Sequence, residues 1–292
     1  MERKEFYNES RSSRIFQIVV GAIFVIISLL TIIPILRVVS ISLSSKTAIL
    51  SGKVWIYPVQ FTLEAYKKSF GNSNFVDSFL YSILLTGAYT GICMLMTIMA
   101  AYPLSKDGLK GRKIIMTLFV LTMYFDPGTI PNYLNVKSFG FIDTIWALII
   151  PGALSAYNLI IMRTFFAGID KSLYESAYID GCTEFKALIK IAIPLAVPAI
   201  ATLSLFYAVS RWNGISDVLY YINRSSLYTV QMMLKQMIDS VRISLEEGTN
   251  TQLIADNIKA ASIVISMTPM LIAYPFIQRY FTKGIMLGAV KG

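Results

Sequence analysis

Six long apolar runs constrain this chain more than any other feature, because each is near the roughly 20 residues a helix needs to cross a hydrocarbon core. They lie at Ile15–Leu36, Phe75–Tyr102, Ile114–Pro131, Asp143–Met162, Pro194–Ser210 and Ala260–Ile277. The third and fifth are short and bounded by prolines. Of the 292 residues 55% are hydrophobic and only 15% charged, against about 25% charged in soluble domains. In water that composition would leave too much apolar surface exposed; lipid removes the problem. The reading is therefore an all-α integral membrane protein with six transmembrane helices. The first run is longer than the apolar region of a signal peptide and no A-x-A site follows it, so it reads as a retained helix.

Lysine and arginine are about twice as dense in segments 1–14, 103–113, 163–193 and 278–292 as in 37–74, 132–142 and 211–259, which places the first set in the cytoplasm. Both termini are then cytoplasmic. The expected organisation is a cytoplasmic segment 1–14, a first span with external loop over 15–74, a core over 75–277 containing a loop at 163–193, and a cytoplasmic tail 278–292. The net charge of +9 is dispersed between apolar runs, which argues against nucleic acid. With no histidine, Ser-His-Asp or Cys-His catalysis and His-ligated metal sites are excluded. No phosphate-binding G-x-x-x-x-G-K loop occurs. Cys93 lies in an apolar run and Cys182 in a polar loop, at different depths, so no disulfide is expected between them. The spans lack the paired acids of proton- or sodium-coupled transport, which disfavours a secondary transporter.

The cytoplasmic loop 163–193 is too long for a simple connector. Ser172-Leu-Tyr-Glu175 fits a capping box. A helix with Leu173, Tyr174, Ala177 and Tyr178 on one face follows, and Gly181 stops it. A second helix carries Phe185, Leu188, Ile189 and Ala192, and Pro194 suits the first turn of the next span. Two amphipathic helices on a glycine elbow form a knob able to take force from a cytosolic partner into the span at Pro194. Tyr174, Tyr178 and Phe185 are expected to make a compact aromatic patch on it, for which lipid-surface packing is the alternative.

Glu175-Ser176-Ala177, three residues, Gly181, nine residues and Ile191-Ala192-Ile193-Pro194 resemble the EAA motif of binding-protein-dependent ABC importer permeases, E-A-A-x3-G-x9-I-x-L-P. Ser176 and Ile193 depart from it conservatively. Ile130-Pro131-Asn-Tyr-Leu with Gly140-Phe-Ile-Asp143-Thr144-Ile-Trp146, the stretch Met162–Phe166, and Tyr274-Pro275-Phe276-Ile277-Gln278-Arg279-Tyr280-Phe281 resemble the carbohydrate branch, similar to lipoprotein-dependent oligosaccharide importers of Gram-positive bacteria. Asp126-Pro127 departs from the small residues expected there. The resemblance implies a type I importer in the bacterial plasma membrane. Its expected partners are a homologous second permease, two ATPase subunits carrying ATP and Mg, and an extracellular solute-binding lipoprotein delivering a sugar. This chain itself would be non-catalytic and bind no cofactor. A permease for a peptide or polyamine shares the same loop.

Glu175 can be read as a cap partner only, or as also pairing with a basic group on the ATPase. Asp126 either faces a cavity at the outer end of the third span, or belongs to an exposed Asp126-Pro127-Gly128 turn after a helix ending at Tyr124. Tyr124, Tyr157-Asn158 and Trp212-Asn213 are candidate sugar contacts, the alternative being interfacial anchoring. Val230, Met233, Leu234, Met237, Ile238 and Val241 repeat at helical spacing. That helix and the polar stretch Ser244–Asp256 are expected to meet the binding protein on the outside.

Overall fold

The computed structural model describes residues 11–246 and 256–289, with side chains over 15–239 and 256–275. Most of the polar stretch expected to meet a binding protein, 247–255, lies outside the described residues, as does the side chain of Val241. Fifteen helices carry the described chain: α1 Arg11–Ser42, α2 Lys46–Leu50, α3 Glu64–Gly71, α4 Ser73–Ser105, α5 Arg112–Tyr124, α6 Thr129–Ser138, α7 Trp146–Ile149, α8 Ala156–Ala167, α9 Lys171–Ile179, α10 Glu184–Ala187, α11 Ile193–Leu195, α12 Val197–Asn213, α13 Ser216–Tyr221, α14 Val230–Glu246 and α15 Asp256–Ala289. Among the described residues the sole β contact is an isolated bridge between Ser44 and Phe61.

Among the described residues, three continuous helices, Ile15–Ser42 in α1, α4 and Asp256–Pro275 in α15, are long and apolar enough to span. Two bent pairs pass the same test: Trp146–Gly152 with Ala156–Ala167, bent by 52°, and Glu184–Leu195 with Val197–Asn213, bent by 81°. The third expected span is different. The Ile114–Pro131 run breaks after α5, whose 13 residues reach about 20 Å at 1.5 Å per residue. Asp126-Pro127-Gly128 causes the break. Pro127 disfavours helical backbone at Asp126, Gly128 adopts φ +88°, and the Asp126 carboxylate accepts the Gly128 N–H at 2.9 Å.

The described residues within 1–71 and 240–265 form one packed unit, and those within 72–239 and 266–292 another. In the first, α1 leaves Ile18, Phe24, Ile26 and Leu30 more than half exposed, a surface suited to lipid rather than water. Short polar contacts organise the rest of this unit. The Ser44 hydroxyl accepts the Val59 N–H at 3.0 Å and donates to the Ser40 carbonyl. Ser69 and Ser262 are hydrogen-bonded at 3.2 Å. Serines at such contacts let backbones approach closely while satisfying each other.

In the second unit α4, α8 and α12 pack together around Leu85, Cys93, Leu159, Met162, Phe166 and Leu203. Ala187, Ala192, Ala196 and Ala199 are all buried there, and their small side chains allow the close approach. The expected amphipathic helix is α14, which buries Val230, Leu234 and Met237 but turns Ile238 outward.

The break between α7 and α8 frees backbone groups that no water could satisfy within a membrane. Tyrosines on neighbouring helices satisfy them. The Gly152 carbonyl accepts from the Tyr89 hydroxyl at 3.0 Å and from Cys93 Sγ at 3.5 Å. The Ser155 N–H donates to the Tyr207 hydroxyl at 3.1 Å. Thr97 gives its proton to the Cys93 carbonyl, so in its 2.8 Å contact with Tyr207 the tyrosine is the donor. A β-carbon at Gly152 would stand 2.5 Å from the Tyr89 hydroxyl and 3.3 Å from its ring. Gly152→Ala is therefore expected to lower the thermal unfolding midpoint in detergent, and to do so less in a Tyr89→Phe background. The coupling should be at least about 0.5 kcal/mol, as for directly touching residues. Strict additivity would contradict this contact.

Candidate coupling site

The loop at 163–193 folds as two short helices with a glycine between them. Asp170, rather than Ser172, caps α9: its carboxylate accepts the Ser172 N–H at 2.9 Å, placing Ser172 inside the first turn. The expected capping box is thus replaced by an aspartate cap two residues earlier, which serves the same unpaired N–H groups. The other end follows the expectation. Gly181 has φ +75°, its N–H donates to the Tyr178 carbonyl at 3.0 Å, and the Cys182 N–H reaches the Ala177 carbonyl at 2.9 Å. These are the two bonds of a Schellman ending. Thr183 then caps α10 through the Lys186 N–H.

Beyond α10 the chain makes a π-turn at Leu188–Ala192. Pro194 has no N–H and its ring crowds the carbonyl four residues back, so a local change of helical register accommodates it. Pro194 lies in the one-turn α11, and α12 begins only at Val197, beyond the 81° bend. It therefore forms a corner before the span, not the span's first turn.

The buried face of the knob also differs from the helical-wheel expectation. Tyr174, Ala187, Leu188 and Ala192 are buried and Ile191 is half-buried. Phe185 and Ile189 are instead 70% and 48% exposed. The three aromatics line one groove. Tyr174 and Tyr178 stack at 6.5 Å, and Tyr174 faces Tyr102 of α4 at 6.4 Å. Glu175, Ser176 and Ile179 lie exposed, with Ala177 half-buried. A groove of about 800 Å³ runs between the knob and the end of α4, lined by Lys106, Lys171, Tyr174, Glu175, Tyr178 and Phe185 among others.

Several groups that hold the knob carry no sequence signature. Lys106 Nζ sits 3.5 Å from the Tyr174 ring centroid, donates to the Tyr178 hydroxyl at 3.1 Å and lies 3.7 Å from the Glu184 carboxylate. The Tyr102 hydroxyl donates to Glu184 at 3.0 Å. Burial opposes the Glu184 charge, but hydrogen bonds from Tyr178 and Tyr102 and the Lys106 charge bring its pKa below the ordinary value. Burial lowers that of Lys106, against the pull of Glu184. Asp107 bridges Lys171 at 2.6 Å and Arg112 at 2.7 Å, and hydrogen bonds from these two cations bring its pKa to about 2. Arg163 Nε donates to the Leu104 carbonyl at 3.2 Å, satisfying one of the last carbonyls of α4.

The residues proposed from sequence for a solute path are not gathered into one site. Tyr124, Asp126 and Tyr157 are exposed and Asn158 is buried. Trp212 is 3% exposed, with Nε1 donating to the Ser266 carbonyl at 3.1 Å and its ring edge-on to Phe79. Most of that ring is taken up by helix packing, and with Asn213 it lines a cavity of about 690 Å³. Asn213 is exposed, its amide donating to the Val209 carbonyl, and it lines a cavity of about 570 Å³ beside Arg211, Ser216 and Asp217. Cys93 and Cys182 are both free thiols.

Residues 98–287 match the family described as binding-protein-dependent transport system inner membrane component. The chain belongs to this family. As a permease it is similar over nearly its whole length to known proteins. The polygalacturonan/rhamnogalacturonan transport system permease protein YtcP of Bacillus subtilis (strain 168) is 39% identical over 96% of this chain and 99% of its own. Protein LplC of the same organism is 41% identical over 90% of each chain. Among solved structures, a chain of a bacterial ABC transporter involved in import of the acidic polysaccharide alginate matches with a TM-score of 0.86 at 32% identity, covering 94% of this permease and 99% of that chain.

Proposed function

We propose that this permease is one of two homologous membrane subunits of an ATP-driven importer, and that it moves an oligosaccharide handed over by an extracellular binding protein. The knob α9–α10 projects into the cytoplasm and docks on an ATPase subunit, one of two that hold ATP and Mg; this chain performs no hydrolysis. The observation that carries the reading is the exposed edge of Glu175, Ser176, Ile179 and Phe185 on a knob whose other side is anchored to the protein. An outward apolar pair beside a carboxylate suits a protein cleft better than water. Both termini lie on the knob's side of the membrane, and a sixth crossing involves the short α5.

The sugar assignment rests on the relatives, two of which serve acidic polysaccharides. Short uronate oligosaccharides are accordingly the first solutes to test, followed by neutral oligosaccharides, peptides and polyamines. Tyr124, Asp126, Tyr157 and Asn213 are the exposed candidates for the path from this subunit.

Glu175→Arg is expected to reduce co-purification of the ATPase, because it replaces a carboxylate facing a basic group by a like charge. Charge-assisted hydrogen bonds contribute about 1.5–3 kcal/mol, so the apparent affinity should fall by about 10- to 100-fold. Unchanged recovery of the ATPase, together with unchanged uptake, would remove Glu175 from the docking surface.

A further inference from the structure

Which part of the membrane bundle receives the knob's movement follows from its attachments, and the inference rests on the importer reading above. Two routes leave the knob. Along the chain, α10 reaches α12 through the π-turn at Leu188–Ala192, Pro194, and an 81° corner. At that corner Ala196 N–H bonds back to Ala192 and Ile193 and its carbonyl accepts from Ile200, but the helix axis turns by 81° there. A displacement along the knob is therefore not carried axially into α12. Through space, the knob is tied to the last turn of α4 and the loop after it. Lys106 touches both knob helices, Tyr174 and Tyr178 on α9 and Glu184 on α10. Tyr102 of α4 does the same through Tyr174 and Glu184, and Asp107 adds Lys171.

Helix α4 has 33 residues in one helix, with Pro103 in its last turn, about 50 Å of helix, and it packs on both α8 and α12. We propose that α4 is the lever of this permease and that Lys106, seated between Tyr102, Tyr174, Tyr178 and Glu184, is the positioning residue that fixes the knob to it. The corner at 193–197 acts as a joint that lets the knob follow α4. Lys106 suits this task because a cation over aromatic faces holds position while its ammonium still bonds a hydroxyl and a carboxylate.

The test uses the assembled complex in lipid nanodiscs, with Ser216→Cys in a Cys182→Ser chain as reporter. Ser216 lines the cavity at the far end of α12. Its labelling by a membrane-impermeant maleimide is compared without nucleotide and after trapping with ATP and vanadate. Trapping is expected to change the labelling rate by at least about 5-fold in the parent, the lower range of a coupling free energy between sites. Lys106→Ala and Tyr102→Phe should each reduce that change to under about 2-fold while the ATPase stays in the complex. Lys106→Arg should restore it, since arginine keeps the charge and stacks on rings. A full response in both Lys106→Ala and Tyr102→Phe would overturn the α4 route, as would loss of the ATPase from them, which would make Lys106 a docking support only. A parent chain that neither retains the ATPase nor responds would overturn the importer reading itself.

Discussion

Gly181→Pro is expected to abolish uptake and release the ATPase from the complex, while the membrane helices still insert. Gly181 holds φ +75° and its N–H bonds the Tyr178 carbonyl. Proline fixes φ near −65° and has no N–H, so both the turn and the bond are lost, at a cost of about 3 kcal/mol or more. The loss falls entirely on the joint between α9 and α10, since a β-carbon at Gly181 would meet nothing within 4 Å. That open space provides an internal scale. Gly181→Ala meets only the backbone cost of the left-handed region, about 1–2 kcal/mol, and should weaken the complex without destroying it. Gly181→Asn should be milder still, because asparagine visits that region more readily. The measurements are ATPase co-purification and uptake in proteoliposomes, with membrane insertion checked by yield in the detergent extract. Full uptake by an inserted Gly181→Pro chain would refute the coupling role of the elbow.

Gly181 was legible from sequence because a left-handed helix ending has one favoured residue and a fixed spacing from the turn before it. The apolar runs were legible for the same kind of reason, since membrane thickness sets a length. What could not be read locally were contacts between distant segments. Lys106 looks like one more basic residue of a cytoplasmic loop; only the fold brings it to Tyr174 and Glu184, 68 and 78 positions on. The third run does not form one continuous helix, because an apolar window averages over Asp126-Pro127-Gly128, whereas the backbone responds to those three residues individually. The π-turn after α10 changes the register, so Phe185 and Ile189 do not share the buried face of Leu188 and Ala192. Trp212, a candidate sugar contact in sequence with interfacial anchoring as the alternative, is buried, and the Ser266 carbonyl of α15 takes its N–H.

Asp217→Ala is the substitution expected to destabilise the folded chain most. Arg211 belongs to no motif in the sequence, yet its side chain is 4% exposed near the end of α12 away from the knob. Its guanidinium pairs with both oxygens of Asp217 and donates to the Leu148 and Gly214 carbonyls, so α12, α13 and the start of the broken span are tied at one point. A β-carbon on Gly214 would sit 2.6 Å from Nη2, which explains the glycine. Removing one partner of a buried ion pair costs about 3–5 kcal/mol because the remaining charge is left without compensation. Asp217 keeps 28% of its side-chain exposure, so water already screens part of the pair and the lower end, about 3 kcal/mol, is expected. The paired change Arg211→Met with Asp217→Ala should recover most of the loss, since no buried charge then remains. Chemical unfolding in detergent measures both. If the double variant is as unstable as Asp217→Ala alone, the cost comes from the four hydrogen bonds that tie the helices, and Arg211 serves as a clamp rather than as a charge in need of a partner.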